Sequence, residues 1–219
     1  RIYFNSEIPV ITLPYENLNN KILEDFDGHR ALLDNIAVEK LSFINSDLRN
    51  AIFNKSIIKK SKFINSKLIM TEFNDSKIEK SDFVDCYMNS TGFENSILKN
   101  ICFKNCNMNG VNFSEVLLFN VSLETSIRIE TSIFNKTYYN KKTKFPNKFD
   151  LNTKNLIFVD NYVNEKYIEL EKEYKKNDYS YEKHPLKDLE ILVIKYKEIL
   201  KKNDLKSLIY YLILCHLCL

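Results

Sequence analysis

The stretch LSFINSDLRNAIFNKSIIKKSKFINSKLIMTEFNDSKIEKSDFVDCYMNSTGFENSILKNICFKNCNMNGVNFSEVLLFNVSLET, residues 41–125, decides the fold. Phenylalanine stands at 43, 53, 63, 73, 83, 93, 103 and 113, one every ten residues for eight hits. Midway between them lie Leu48, Ile58, Leu68, Ile78, Met88, Leu98, Met108 and Leu118. A bulky apolar residue therefore recurs every five positions, a period that neither an α-helix nor a plain strand produces. A fixed long period marks a repeat architecture. It also turns the functional question from pockets to surfaces, because solenoids act by presenting extended faces.

Divided into fives from Leu41, the stretch has its large apolar residue in third place. The first place is small: Ser46, Ala51, Ser56, Ser61, Ser66, Thr71, Ser76, Ser81, Cys86, Thr91, Ser96 and Cys106. The remaining places are mainly Asn, Lys, Asp, Glu and Ser. Two positions of each five belong inside, one small and one large, and three belong in water.

This pattern resembles the pentapeptide-repeat family, over residues 36–135. The resemblance implies an all-β solenoid, a right-handed quadrilateral β-helix with four pentapeptides per coil and about five coils. At the ordinary inter-strand spacing of about 4.8 Å the rod would be roughly 24 Å long. Phe43, Phe63, Phe83 and Phe103 would then stack on one side and Phe53, Phe73, Phe93 and Phe113 on the opposite side, with aliphatic ladders on the other two. The buried Ser and Thr hydroxyls would need backbone partners.

Residues 1–35 read as an N-terminal cap. Leu18, Ile22, Leu23 and Phe26 follow helical spacing behind Pro14 and predict a short helix over the open first coil. Ala31 and Leu33 already keep the repeat phase, which leaves room for a partial coil. At the far end Arg128 falls on a core position and Ile133 on the last one. Residues 136–159 read as a closing turn and loop. Within them TKFPNKFDLNTKNLIF, residues 143–158, is similar to the closing stretch of cyanobacterial and plastid members, through Thr143, Phe145, Pro146, Phe149 and Asp150. Lys148 stands where those members commonly have glycine. Proline ending the ladder is physically sensible, since it has no N–H to donate.

Residues 160–219 read as an α-helical C-terminal extension, with helices over 160–177 and 185–202 and a third running to Leu219. The last is apolar nearly all round, through Leu205, Leu208, Ile209, Tyr210, Tyr211, Leu212, Ile213, Leu214, Leu217 and Leu219. Such a helix is normally buried. Three settings stay open: the chain's own helical subdomain, a partner protein, or a membrane, for which the stretch is short.

Outside the coil, Ile44, Ile64 and Val84 form an apolar stripe that Lys104 ends. They are either good strand formers or a contact face. Another side alternates Lys59, Glu79 and Lys99, a modest stabilisation of the stack. Outward Ile97, Leu117 and Phe119, with Ile127, Ile129 and Phe134, predict that the last coils are covered by the C-terminal helices folding back.

Net charge is +3, yet residues 31–135 carry 12 acidic and 12 basic side chains, and the positive excess lies after them. Some pentapeptide proteins bind DNA gyrase as acidic mimics of duplex DNA. The neutral coil lacks the field this requires, so that reading, like direct nucleic-acid binding, is the alternative and not the choice. The three histidines, His29, His184 and His216, form no triad or metal motif, and no Gly-rich phosphate loop occurs. The sequence implies no enzyme, no cofactor and no metal site. Cys86 and Cys106 should stack in adjacent coils, either as two reduced thiols or as a disulfide.

The resulting expectation is a non-catalytic scaffold or accessory subunit with protein partners, within a multisubunit complex. The candidate interaction residues are Ile44, Ile64, Val84, Leu208, Tyr211, Leu212 and Ile213. Any membrane contact would be indirect or through the C-terminal helix. The chain opens at Arg1, which fits cleavage after an organelle-import leader. The sequence leans toward a plastid-like organelle or the cytoplasm.

Overall fold

The computed structural model describes residues 18–159. Its strands are β1 (Ile22–Glu24), β2 (Ala37–Glu39), β3 (Ser42–Ile44), β4 (Ile57–Lys59), β5 (Lys62–Ile64) and β6 (Lys77–Glu79). They continue as β7 (Asp82–Val84), β8 (Ile97–Lys99), β9 (Cys102–Lys104), β10 (Leu117–Phe119), β11 (Thr137–Asn140) and β12 (Leu156–Val159). The strands assort into two parallel sheets, a short one of five in the order β1-β3-β5-β7-β9 and a long one of seven in the order β12-β11-β10-β8-β6-β4-β2. Single bridges mark the other two sides, along Asp47, Lys67, Tyr87 and Asn107 and along Ile52, Glu72, Gly92 and Asn112. The result is a four-sided parallel coil.

The solenoid has about seven turns, more than the five the sequence suggests. The extra turns come from both ends. Among the described residues, Ile22–Phe26 do not continue the helix expected through Leu18, Ile22, Leu23 and Phe26, and β1 instead pairs with β3, setting Leu23 beside Phe43. Leu18 and Leu23 already keep the five-residue step, and pairing with an existing sheet edge outweighs the weak preference of one isolated helical turn. Residues 136–159 are likewise no mere closing loop, because β11 and β12 add two strands to the long sheet. Pro146 lies between β11 and β12, where its carbonyl accepts from the Phe149 N–H at 2.9 Å.

Nearly every corner, Thr125 excepted, is made by the fifth residue of a repeat taking the left-handed backbone conformation. Asn45, Asn50, Asn65, Asn95, Asn100, Asn105 and Asn120 do so at φ between 48 and 58°. Asparagine tolerates this region better than most residues, which gives the fifth place its Asn bias. Gly110 occupies one corner at φ 68°, where no side chain is strained.

The eight repeat phenylalanines are all buried. Within each ladder the rings stack, at 5.5, 4.7 and 4.9 Å from Phe43 to Phe103 and at 4.9, 5.2 and 5.5 Å from Phe53 to Phe113. The two ladders meet edge to face across the interior, as for Phe63 and Phe73 at 5.6 Å. Both arrangements suit the ring quadrupole, and such a pair adds about 0.5–1.5 kcal/mol beyond area burial.

The small first-place residues supply the polar wiring. Ser76 Oγ accepts from the Ser56 N–H at 3.0 Å and donates to the Phe53 carbonyl at 2.9 Å, tying adjacent coils together. Ser56, Ser61, Ser66, Ser81 and Ser96 accept from the preceding coil in the same way. Cys86 and Cys106 are free, buried thiols in this ladder, directed at the Phe63 and Phe83 carbonyls. The Cys106 thiol is pushed upward by its hydrogen bond with Cys86 and by burial.

One register shift separates the structure from the sequence reading. Arg128, expected in the core, is exposed in a left-handed corner at φ 59°, followed by a 3-10 turn over Ile129–Thr131. This absorbs one extra residue. Ile129 and Phe134, expected outside, therefore enter the core, Phe134 stacking on Phe113 at 5.1 Å, while Ile133 is left exposed. Ile127 is exposed too, so it and these two core residues give no sign of a cover over the last coils.

Candidate interaction surfaces

Each strand points its middle residue inward and its flanking residues outward, so every sheet carries two outward rows. On the short sheet one row runs Glu24, Ile44, Ile64, Val84 and Lys104 in unbroken register. The three apolar members are half-buried and no side chain in the row is fully covered. The stripe sits between an acidic and a basic end. Beside it runs the row Ile22, Ser42, Lys62, Asp82 and Cys102, with Ile22 67% exposed. On the corner side the stripe is bordered by polar ladders, in which the Asn65 amide donates to Asn45 at 2.9 Å and the Asn105 amide to Asp85 at 3.0 Å. The stripe is thus a narrow, half-buried apolar strip with mostly polar residues on either side.

The outward rows of the long sheet differ. Ile57, Lys77, Ile97, Leu117 and Tyr138 are all buried, Lys77 at 3% and Leu117 at 0% exposure. In the neighbouring row Glu79 and Phe119 are buried at 6% and 5%, with Asn140 buried beside Phe119. Burial loosens toward β2, where Ala37 is exposed. Inside this face Lys99 Nζ lies 3.9 Å from Glu79, part of the alternating Lys59, Glu79, Lys99 row. Burial lowers the Lys59 ammonium below its ordinary value, with Glu79 opposing the shift, and burial raises the Tyr138 phenol.

Sequence reasoning placed Ile97, Leu117 and Phe119 on a covered face, and they are buried. It missed Ile57, Lys77, Glu79 and Tyr138. For Ile57 the signal was present, since Ile57, Ile97 and Leu117 share one outward row. For Lys77 and Glu79 there was none, because a charged residue reads as solvated until its cover is seen. The structure brings Ile44, Ile64 and Val84 together. Leu208, Tyr211, Leu212 and Ile213, with the whole helical extension expected over 160–219, lie outside the described residues. Among the described residues no cluster of three His, Cys, Asp or Glu is arranged to hold a metal ion.

A family profile described as "Pentapeptide repeat region" matches residues 35–113 and again 56–134. The chain belongs to the pentapeptide-repeat family. No curated protein sequence matches this pentapeptide-repeat protein. Among solved structures it is similar to full-length QnrB1, a plasmid-mediated fluoroquinolone resistance protein, at 13% identity and TM-score 0.37, covering 68% of this chain and 97% of QnrB1. It is also similar to HetL, a protein involved in heterocyst differentiation regulation from the cyanobacterium Nostoc sp. strain PCC 7120. There the identity is 11% and the TM-score 0.28, over 64% of this chain and 85% of HetL. A third likeness is to a thylakoid-lumen pentapeptide repeat protein of Arabidopsis thaliana, at 16% identity and TM-score 0.16, over 48% and 72% of the two chains. Pentapeptide-repeat proteins often act by protein interactions and are generally non-enzymatic.

Proposed function

We propose that this protein is a non-catalytic scaffold or accessory subunit that holds a protein partner within a larger assembly, using the open face of the short sheet. The observation that supports this reading is the aligned row Ile44, Ile64, Val84, three apolar residues stacked in register and half-buried on the outside of the short sheet. Contiguous outward apolar residues tend to mark interfaces. The strip is narrow, so the partner must also meet the flanking Lys62 and Asp82, and the opposite charges Glu24 and Lys104 at its ends would fix orientation more than they add affinity.

Affinity purification of the full chain beside its Ile64→Asp variant, followed by mass spectrometry, tests the reading. A partner retained by the parent and lost by the folded variant supports it. Identical partner sets overturn it. A gyrase supercoiling assay separates the gyrase-binding alternative, which would show the chain protecting or inhibiting the enzyme.

A further inference from the structure

The long sheet has a property that the proposed function does not use. Side chains that point out of a parallel coil meet solvent unless other atoms lie over them. Here one outward row is buried throughout from β4 to β11, and the row beside it is buried or half-buried. The aromatic residues that follow β11 lie elsewhere. Phe145 and Phe149 pack against Phe134, at 6.2 and 5.4 Å, and so close the end of the rod instead of its side.

We infer that the apolar C-terminal segment 205–219 of the same chain lies along the outward face of the long sheet, over Ile57, Ile97, Leu117, Phe119 and Tyr138. Four features support this occupant. The described chain ends in β12, the terminal strand of that very sheet, so residues 160–219 start from the correct edge. Burial is complete near that end and lost at β2, next to which the N-terminal residues 1–17 would enter. The covered span, from β4 through β6, β8 and β10 to β11, is four strand spacings or about 19 Å. A helix of the predicted length would be about 22 Å, a close match. Finally, 205–219 is the most apolar run after the coil, and its Leu208, Ile209, Leu212 and Ile213 need burial somewhere.

The consequence is a division between faces. The long sheet is closed by the chain itself, the short sheet stays open, and Leu208, Tyr211, Leu212 and Ile213 serve the fold and not the partner. This inference does not rest on the proposed function, since it concerns the adjacent side of the coil.

The test uses the full chain with Phe119 replaced by a benzophenone-bearing phenylalanine, and a control carrying the same probe at Ile64. After irradiation and proteolysis, mass spectrometry should find an intrachain adduct between position 119 and residues 205–219, with none from position 64. An adduct in residues 1–17, an adduct to a second copy, or no protein adduct at 119 overturns the inference. Combining the probe with Leu212→Asp and Ile213→Asp should lower the adduct yield at least about tenfold, because charges at those positions cannot stay against an apolar face. An unchanged yield also overturns it. Where the double variant fails to fold, the single-probe result decides alone.

Discussion

The short and long sheets are built from the same repeat, yet their outer sides have opposite fates. Both place a phenylalanine or aliphatic residue inward, both are parallel, and both fix register through the same serine and asparagine ladders. Outside, Ile64 remains half-exposed while Leu117 is fully buried. The inner pattern therefore specifies the coil and says nothing of how its outer faces are used. That information sits in a few outward residues, which the repeat leaves free to vary.

The sharpest way to break this comparison is a matched pair of substitutions. Leu117→Asp, on the covered face, should cost roughly 4 kcal/mol or more, since it buries an unpaired charge. Ile64→Asp, on the open face, should stay within about 0.5 kcal/mol. Chemical denaturation of the two variants measures the difference, and equal losses would erase the distinction between the faces. Next in size is Ser76→Ala, inside the wall under the long sheet. It leaves the Ser56 N–H and the Phe53 carbonyl without their partner and should cost about 1–3 kcal/mol. A loss well below that range would show that the serine ladder fills space more than it satisfies the backbone.

The smallest effect concerns Lys59, whose ammonium burial holds below the ordinary lysine value of 10.5. A base with a depressed folded-state pKa is bound to fewer protons in the native state, so stability rises with pH just below 10.5 and levels off above it. Lys59→Met should remove that slope from the stability–pH curve. A slope unchanged by the substitution would place Lys59 in solvent and weaken the case for a covered face.

Much of the coil could be read directly from the chain. Phenylalanine every ten residues marked the five-residue step and its inward positions, and the family resemblance supplied the four sides that turn them into facing ladders. The ends were harder for definite physical reasons. Leu18, Leu23 and Phe26 fit a helical turn as well as a coil, and only pairing with β3 decides between them. The slip at Arg128 was hidden because the following apolar residues, Ile129, Phe134 and Tyr139, keep the five-residue step in a shifted phase. Ile44, Ile64 and Val84 were visible as a row, since their alignment follows from the repeat alone. The covered long sheet was legible only in its apolar members, because Lys77 and Glu79 look like ordinary surface residues.

Hydroxyl-radical footprinting of the full chain, read residue by residue by mass spectrometry, tests the two-face account most directly. Leu117, Phe119 and Tyr138 should be oxidised at least about tenfold more slowly, relative to their intrinsic reactivities, than Ile44 and Ile64, as burial from solvent requires. Comparable rates on the two sheets would contradict it.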